Sequence, residues 1–584
     1  MRTVHLILLL ALTPLCAVAQ VPAQSVARPA PAGTPATGAI TGRVLDERGQ
    51  PLTNAVVTLR TVGAGAQPQN MTTDREGAFN FRNLDRASYL VTATSPAYTQ
   101  PPVDPVMSQT PNYHIGDSVT LTLVKGGVIT GAVTNLAGEP IVGVGVRVQM
   151  LRDANGRRTS NSWNQLKLTD DRGVYRAYGL PTGTYVVLAG GPSQYYSMAG
   201  YPFDNDVPTY APASTRDTAA EVSVRAGEEI AGIDIRYRGE QGRIVSGQVN
   251  VPPEFAPGSN VTLTAMGDTG VPWSSTEYQQ PNSRGFVFNA VADGDYSLVA
   301  QSYGPNGDRA VSVAKRIKVR GADVTGIELS SRPLSSVAGR VVLEESKAPE
   351  CTEKPRPVFN EMLVSAWHND NDAAKEMPQF VWSIGAPVSP DAEGNFTLRN
   401  LAPAEYYFIA RQTAKYWYLQ SITFAPTPVA GAKVASKPID ATRVWTNIKP
   451  ADKLSGLTIT IAQGAASLRG NLALGEGEQV PARLFVYLVP AERERAEDVL
   501  RYFAAPVSPE GKITLNNIAP GRYWILTQTV SDDTLAPLAK LRLPLETETR
   551  ARFRREAEAA KTEIEFKPCQ NVTDFQLPLK PAQP

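Results

Sequence analysis

The sequence contains very little histidine or cysteine, with three of each among 584 residues. A zinc peptidase needs a His-x-x-Glu pair and a distant His, because three ligands must leave one coordination position open. Three residues after His114 and His368 stand Asp117 and Asn371, so neither histidine begins such a pair. Catalysis by a nucleophile and a histidine base is disfavoured by the same shortage of histidine. We therefore expect no catalytic centre, metal site or cofactor, although a glycosidase, which needs only two carboxylates, stays open on composition alone.

Long apolar runs and an excess of one charge are also missing. Beyond the N-terminus no stretch approaches the roughly 18 uncharged apolar residues of a membrane span, so we expect none in the mature chain. The balance of 57 basic and 56 acidic residues argues against a nucleic-acid partner. With charged residues at 19%, 46 Gly and 47 Pro, the composition suits strands and turns better than helices.

The N-terminus is typical of an exported protein. Residues 1–19 are predicted to be a signal peptide, with an apolar core and Ala17-Val18-Ala19 as its small-residue cleavage site. Cys16 would suit a lipoprotein, but Thr13-Pro14-Leu15 lacks the small residue expected before a lipidated cysteine. Residues 20–38 are a Pro/Ala-rich linker. We expect a periplasmic, outer-membrane-associated or extracellular protein.

Removal of that signal leaves Cys351 and Cys569. Two cysteines in an oxidising compartment can pair and would then join neighbouring domains. Two separate thiols are the alternative, and the sequence alone does not decide between them. Neither cysteine has the spacing of a metal ligand or a redox motif.

A motif that begins at Asp74 occurs five times along the chain. Gly77 is followed by Phe79, Leu84 and Tyr89 at offsets of two, seven and twelve residues, and three other copies keep these offsets. Those copies begin at Asp170, Asp391 and Ser508, whereas the one beginning at Asn282 is a residue shorter. Asp, Asn or Ser three residues before Gly predicts a type I turn closed by a residue with positive φ. Calcium binding is the weaker interpretation, since each turn supplies only one or two carboxylates.

The marker tyrosines Tyr89, Tyr185, Tyr296, Tyr406 and Tyr523 lie roughly 100 residues apart, too far for solenoid repeats. Each interval contains a full set of short alternating strands. The sequence therefore predicts an all-β chain of five tandem β-sandwich domains, at 39–125, 126–240, 241–333, 334–463 and 464–584. Two helical insertions are expected in the last domain, at 491–503 and 546–563, the second as a solvated helix.

The first domain contains Gly42-Arg43-Val44, residues 49–57 (GQPLTNAVV), residues 73–79 (TDREGAF), Leu84 and Tyr89. In these residues it resembles the carboxypeptidase regulatory-like domain, a transthyretin-like sandwich of the carbohydrate-binding-like fold, and the resemblance implies that the five sandwiches are transthyretin/Ig-like. The second domain matches from Ile129 to Leu188, and the others only at the opening strand and the turn. The family consists mainly of accessory modules, so the resemblance implies no peptidase activity.

A second resemblance is to the stalk domains of Gram-positive adhesins, which carry a Lys–Asn isopeptide cross-link. Their lysine lies on the opening strand. The five opening strands of this chain, at residues 42–46, 131–135, 247–251, 339–343 and 470–473, contain no lysine. We therefore do not expect this cross-link.

Binding by sandwiches uses loops at one end or an aromatic-bearing face. One candidate is the segment from Gly191 to Thr215, and a second lies in the long insertion of the fourth domain. Their candidate binding residues are Tyr195, Tyr196, Tyr201, Tyr210, Trp367 and Trp382. Aromatic rings stack on sugar faces, but packing in the sandwich is the commoner role of such residues.

These patterns predict a non-catalytic exported binding or scaffold protein of the bacterial cell envelope. Its expected partners are a polysaccharide or an envelope or outer-membrane protein. The carbohydrate expectation follows by analogy with the sugar-binding modules that share the fold. The alternative is a protein–protein interaction spacer or adhesin-like stalk, and the least expected is the accessory chain of a peptidase or an undetected hydrolase.

Overall fold

The computed structural model describes residues 37–63, 67–102, 111–158, 164–192, 203–255, 258–266, 274–278, 283–369, 387–425, 438–475, 478–530 and 547–578. From Thr37 onward the chain forms one compact unit. Across these ranges, no helix is long and apolar enough to cross a membrane. The predicted all-β class is confirmed, because paired strands make up nearly all of the regular structure.

The five sandwiches share one topology. The opening strand of each pairs antiparallel with the strand after the turn motif and parallel with the closing strand. The second sheet pairs the next long strand antiparallel with the strand that contains the marker tyrosine. In the first three sandwiches the strands are β1 Gly38–Leu45, β2 Val56–Thr61, β3 Gln69–Thr72, β4 Ala78–Leu84, β5 Tyr89–Thr94, β6 Tyr98–Thr99, β7 Ser118–Thr122, β8 Val124–Lys125, β9 Gly127–Thr134, β10 Gly145–Asp153, β11 Asn164–Leu168, β12 Val174–Leu180, β13 Gly183–Ala189, β14 Thr209–Tyr210, β15 Val222–Val224, β16 Glu229–Ile230, β17 Ile235–Arg236, β18 Arg243–Asn250, β19 Ser259–Ala265, β20 Ser274–Tyr278, β21 Gly285–Val291, β22 Gly294–Tyr303, β23 Arg309–Ser312, β24 Lys315–Val319 and β25 Val324–Pro333.

The last two sandwiches repeat this arrangement and include the α-helix α1. Their elements are β26 Ser335–Glu344, β27 Leu363–His368, β28 Asn395–Leu401, β29 Ala404–Arg411, β30 Trp417–Phe424, β31 Ile439–Asp440, β32 Thr446–Ile448, β33 Lys453–Gln463, β34 Ala466–Ala473, β35 Leu484–Pro490, β36 Phe503–Pro506, β37 Lys512–Ile518, β38 Gly521–Thr529, α1 Thr547–Ala560, β39 Glu563–Phe566 and β40 Asn571–Pro578. Short 3-10 turns cover Arg216–Thr218, Pro253–Phe255, Pro305–Gly307, Pro349–Cys351, Phe359–Glu361, Arg493–Arg495 and Val499–Arg501.

The glycine of each opening strand is required by its parallel neighbour. A Cβ on Gly247 would lie 2.0 Å from the carbonyl oxygen of Ile327, and one on Gly42 would lie 2.1 Å from that of Val119. No side chain fits at such a distance. The recurring Gly-x-Val/Leu sequence therefore marks where the closing strand approaches the opening strand most closely.

The turn interpretation of the repeated motif is confirmed in four copies. The Oδ1 atom of Asp391 accepts hydrogen bonds from the amides of Glu393 and Asn395, at 3.1 and 2.7 Å, and Gly394 has a φ of 86°. In the third copy, Gly285 begins β21 without a positive φ, which differs from the prediction. Asn282 lies outside the described residues.

Each marker tyrosine closes the second turn with its hydroxyl. Tyr89 donates to the carbonyl oxygen of Asp85 at 2.8 Å, and the other four likewise donate to the carbonyl four residues upstream. The rings are buried in the sandwich cores. This tyrosine-corner geometry explains why Tyr rather than Phe recurs at the position.

A bulge precedes each of these turns, at the residue six positions after the motif glycine, or five in the third copy. Asn83, Gly179, Ala290, Asn400 and Asn517 occupy this position with φ between 56° and 72°. The register of β4, β12, β21, β28 and β37 against the opening strand shifts there. The sequence motif did not reveal this bulge.

The bulge residue contacts the preceding sandwich at three of the four junctions between consecutive sandwiches. Asn400 accepts from the amide of Arg309 at 2.8 Å and donates to the carbonyl of Gly307 at 3.0 Å. Asn517 donates to the carbonyls of Ala414 and Trp417, both at 2.8 Å. Gly179 packs on residues 97–98, where a Cβ would lie 3.5 Å from the carbonyl oxygen of Tyr98.

The chain also returns on itself, so that the first and fourth sandwiches are in contact. The hydroxyl of Ser88 donates to the carbonyl of Glu361 at 3.0 Å, and the guanidinium of Arg86 lies 3.7 Å from the Glu361 carboxylate. Gly63 packs closely on the backbone of residues 387–388. The first and fourth sandwiches are therefore in contact although two sandwiches separate them in the sequence.

The two helical insertions differ from their predictions in detail. Residues 491–503 contain two 3-10 turns, not an α-helix, and Phe503 starts β36. The second insertion is the α-helix α1, but it is not solvated all round, because Phe553 and Ala557 are buried. They pack on the outer face of the fifth sandwich, where Tyr487 and Phe553 have ring centroids 4.9 Å apart.

Candidate functional site

An aromatic row crosses the outer face of the β27–β29–β32 sheet in the fourth sandwich. Trp367 of β27 is the cross-strand partner of Tyr407 of β29. Trp445, just before β32, packs on the other side of Tyr407 with ring centroids 5.0 Å apart and an interplanar angle of 80°. Tyr406 points to the opposite face, into the core, because side chains alternate along a strand.

A polar row lies beside the aromatic one. Asn369 donates from its Nδ2 atom to the carboxylate of Glu405 at 3.3 Å, and its amide donates to the Glu405 carbonyl at 2.8 Å. Asn447 of β32 is the partner of Glu405 on the other side and is exposed. The six residues Trp367, Asn369, Glu405, Tyr407, Trp445 and Asn447 are named here the fourth-domain outer face.

The rings of this face differ in exposure. Trp445 is 37% exposed, whereas Tyr407 is only 8% exposed, and its burial raises the pKa of the Tyr407 hydroxyl to about 12. That hydroxyl therefore stays protonated and remains a hydrogen-bond donor at neutral pH. It makes no hydrogen bond with any residue in the described ranges. Trp367 is half-buried.

The other predicted binding residues are distributed differently. Tyr195, Tyr196, Tyr201 and Trp382 lie outside the described residues. Tyr210 is 2% exposed and packs on Leu188, so its ring fills space against the second sandwich. Of the six predicted residues the structure therefore describes two, Tyr210 in the second sandwich and Trp367 in the fourth.

The sequence did not identify Tyr407, Glu405 or Asn447 as part of a site. Two consecutive tyrosines at 406 and 407 were the available signal, because in a strand one must point inward and the other outward. The contact between β29 and β32 is non-local, so the position of Trp445 beside Tyr407 could be found only in the fold.

Ser88, His114 and Asp117 form an arrangement that superficially matches a catalytic triad. The Ser88 hydroxyl lies 3.2 Å from the Nε2 atom of His114, and the Nδ1 atom lies 4.0 Å from the Asp117 carboxylate. Ser88 is only 1% exposed, however, and its hydroxyl already donates to Glu361. This geometry suits a contact between the first and fourth sandwiches, not an accessible nucleophile.

Cys351 and Cys569 are bonded to each other, with an S–S distance of 2.06 Å. The bond joins the fourth and fifth sandwiches. In the described ranges no group of three or more His, Cys, Asp or Glu side chains could hold a metal ion.

Residues 39–115 match the sequence model of the carboxypeptidase regulatory-like domain. The first sandwich is therefore a domain of this kind, in agreement with the resemblance of its strands and turn. No curated protein matches the chain.

Solved structures of other bacterial proteins show distant similarity. The TIE protein of Bacillus anthracis is 14% identical with a TM-score of 0.13, over 51% of this chain and 50% of that protein. The minor pilin GBS52 of Streptococcus agalactiae is 13% identical with a TM-score of 0.19, over 34% of this chain and 96% of the pilin. The major pilin subunit of Bacillus cereus is 11% identical with a TM-score of 0.13, over 51% of this chain and 99% of the pilin. This chain thus spans about half the length of the Bacillus anthracis protein, and such low scores carry no information about function.

Proposed function

We propose that this is an exported, non-catalytic binding protein of the bacterial cell envelope that holds polysaccharide on its fourth-domain outer face. The observation that carries this proposal is the aromatic row beside a polar row on one sheet face. The rings of Trp445 and Trp367 offer apolar area to the C–H face of a sugar. Asn369, Glu405 and Asn447 offer donors and acceptors for its hydroxyl groups.

The charge of the face favours a neutral saccharide over a phosphorylated ligand. Its six residues include one carboxylate, Glu405, and no cation. A phosphate-bearing ligand such as a nucleic acid would need Lys or Arg within contact distance. A neutral polyol can instead exchange hydrogen bonds with an amide and a carboxylate at little electrostatic cost.

The second candidate function is a protein-interaction spacer that engages an envelope or outer-membrane protein. The specific support is the way the sandwiches are fixed to one another. The bulge contacts of Asn400 and Asn517, the disulfide and the contact between the first and fourth sandwiches all restrict interdomain motion. A spacer needs such fixed distances between its ends.

A retention experiment with the chain from Gln20 onward tests the proposal. Purified protein is passed over insoluble neutral polysaccharides, including cellulose, chitin and starch, and over a glycan array. We expect retention on at least one neutral glycan, weakened about tenfold or more by Trp445→Ala, as for a buried aromatic anchor at an interface. Tyr303→Ala is the matched control, since Tyr303 is also 37% exposed but lies in the third sandwich.

Two results would reject saccharide binding at this face. One is the failure of every neutral glycan to retain the protein. The other is retention that Trp445→Ala and Trp367→Ala leave unchanged. In the first case, cross-linking of the intact protein to neighbours in isolated envelopes would test the spacer function.

A further inference from the structure

The junction between the second and third sandwiches departs from the other three. Its bulge residue, Ala290, lines an open cleft of about 650 Å³. The second sandwich contributes Pro208, Tyr210 and Arg216 to the walls, and the third contributes Tyr296. A volume of this size falls in the range of small-molecule sites, which occur preferentially between domains.

The hydroxyl of Tyr210 is an unsatisfied polar group in the wall of this cleft. The residue is 2% exposed, and its hydroxyl oxygen has no hydrogen-bond partner among the described residues. Arg216, Asp217 and Tyr296 line the same cleft. The charges of Arg216 and Asp217 and the phenol of Tyr296 influence the pKa of this hydroxyl electrostatically. A buried hydroxyl without a partner destabilises the folded protein, and a ligand hydrogen bond would remove that penalty.

The cleft carries charges of both signs, and four of them form two pairs within it. The guanidinium of Arg320 donates to Asp295 at 3.1 Å, and that of Arg216 lies 3.6 Å from the Asp217 carboxylate. An ionic ligand that engaged any of these four side chains would have to break a pair. A neutral ligand with several hydroxyl groups can donate to the carboxylates and accept from the guanidiniums while the pairs stay intact.

We infer that the cleft between the second and third sandwiches is a second ligand site, which takes a neutral, hydroxyl-rich molecule of mono- or disaccharide size with its hydroxyl bonded to Tyr210. The choice of a saccharide as the ligand class rests on the proposed function. The residues are different, so either site can fail while the other binds.

The test uses the full chain and measures binding of defined sugars by calorimetric titration and by the shift in thermal midpoint. The probes are maltose, cellobiose and N-acetylglucosamine, with glucuronate and glucosamine as charged counterparts. We expect at least one neutral probe to bind the wild type and to bind Tyr210→Phe about tenfold more weakly or worse. Tyr303→Ala should bind it as the wild type does, because Tyr303 belongs neither to the cleft nor to the fourth-domain outer face.

Arg243→Gln provides a second variant if Tyr210→Phe does not fold. Arg243 lines the cleft, is exposed, and makes no ion pair with a described residue. Arg243→Gln should also weaken binding of the neutral probe. The inference is overturned if no neutral probe binds, if the charged counterparts bind as tightly, or if the folded cleft variants bind like the wild type. Binding that Trp445→Ala abolishes and Tyr210→Phe spares would overturn this inference and support the fourth-domain outer face.

Discussion

The side-chain amide of Asn517 in the fifth sandwich donates to the carbonyl oxygen of Trp417 in the fourth at 2.8 Å. Asn517 has a φ of 57°, a left-handed conformation that Asn tolerates better than most residues. The equivalent Asn83 of the first sandwich has a φ of 56°, but it is exposed and bonds to no described side chain or backbone group. A comparison of Asn517 with Asn83 therefore distinguishes the effect of the left-handed backbone conformation from the effect of the interdomain contact.

Replacement of Asn517 by Ala should weaken the junction between the fourth and fifth sandwiches. The change removes the Asn517 donor from the carbonyls of Ala414 and Trp417, of which the second also accepts from Gln412, and it places Ala in a left-handed conformation. Relative to Asn83→Ala, which has only the conformational effect, we expect an additional loss of about 1–3 kcal/mol. Differential scanning calorimetry and amide hydrogen exchange at residues 414–417 measure it. Equal losses in the two variants would show that the contact does not stabilise the junction.

The sequence predicted the sandwich architecture because the information for each hairpin is local. The turn residues Asp74 and Gly77, the alternating Phe79 and Phe81, and the marker Tyr89 lie within one short stretch. The junctions could not be predicted in this way. Whether Asn400 contacts Gly307 depends on how two separately folded sandwiches meet, and no periodicity in the chain encodes that.

The disulfide between Cys351 and Cys569 should hold the fourth and fifth sandwiches together. Its half-cystines are 218 residues apart in sequence, so it closes a long loop in the unfolded chain. The double variant Cys351→Ser, Cys569→Ser should lose about 2–5 kcal/mol, as is typical for removal of a native disulfide. Alkylation in denaturant without reductant, followed by peptide mass spectrometry, checks the bond itself. Two alkylated cysteines in unreduced protein would contradict it.

Asp391 should act through its turn and not through a metal. Backbone hydrogen bonds, of which that from Asn395 is the strongest, hold the pKa of Asp391 below its usual range. We expect Asp391→Ala to lower the thermal midpoint of the protein and Asp391→Asn to preserve most of it, since Asn accepts the same amides. Addition of millimolar CaCl₂ should leave both midpoints unchanged. A calcium-dependent rise in the wild type that either variant loses would favour a metal role instead.

The fourth-domain outer face was only partly predictable from the sequence. Trp367 was identified as a candidate, but its partner Tyr407 was hidden within a run of aromatic core residues. Tyr210 was predicted to bind a ligand from a loop. In the structure its ring is buried, and its hydroxyl is buried without a partner in the wall of the cleft between the second and third sandwiches. Residue type could suggest these aromatics, but only the packing of β29 between β27 and β32 could bring Trp367, Tyr407 and Trp445 into one row.

The marker tyrosines should make the protein sensitive to alkaline pH. Burial raises the pKa of Tyr523 to about 12, although nearby Arg501 opposes the shift, and burial likewise raises the pKa of Tyr296 to about 12. An unfolded tyrosine has a pKa of about 10. The folded state therefore binds these protons more tightly, so the stabilisation is complete below about pH 10 and is lost as the pH rises toward 12.

Tyr523→Phe isolates this contribution in one domain. The variant loses the hydrogen bond to the Ala519 carbonyl, so at pH 7 we expect it to be less stable by about 1 kcal/mol. Because its ring cannot ionise, its thermal midpoint should fall less than that of the wild type between pH 10 and 12, and the two should converge. Calorimetric midpoints across this range, with absorbance at 295 nm to follow phenolate formation, measure the effect. A gap that stays constant or widens with pH would mean that ionisation of Tyr523 does not destabilise the fifth sandwich.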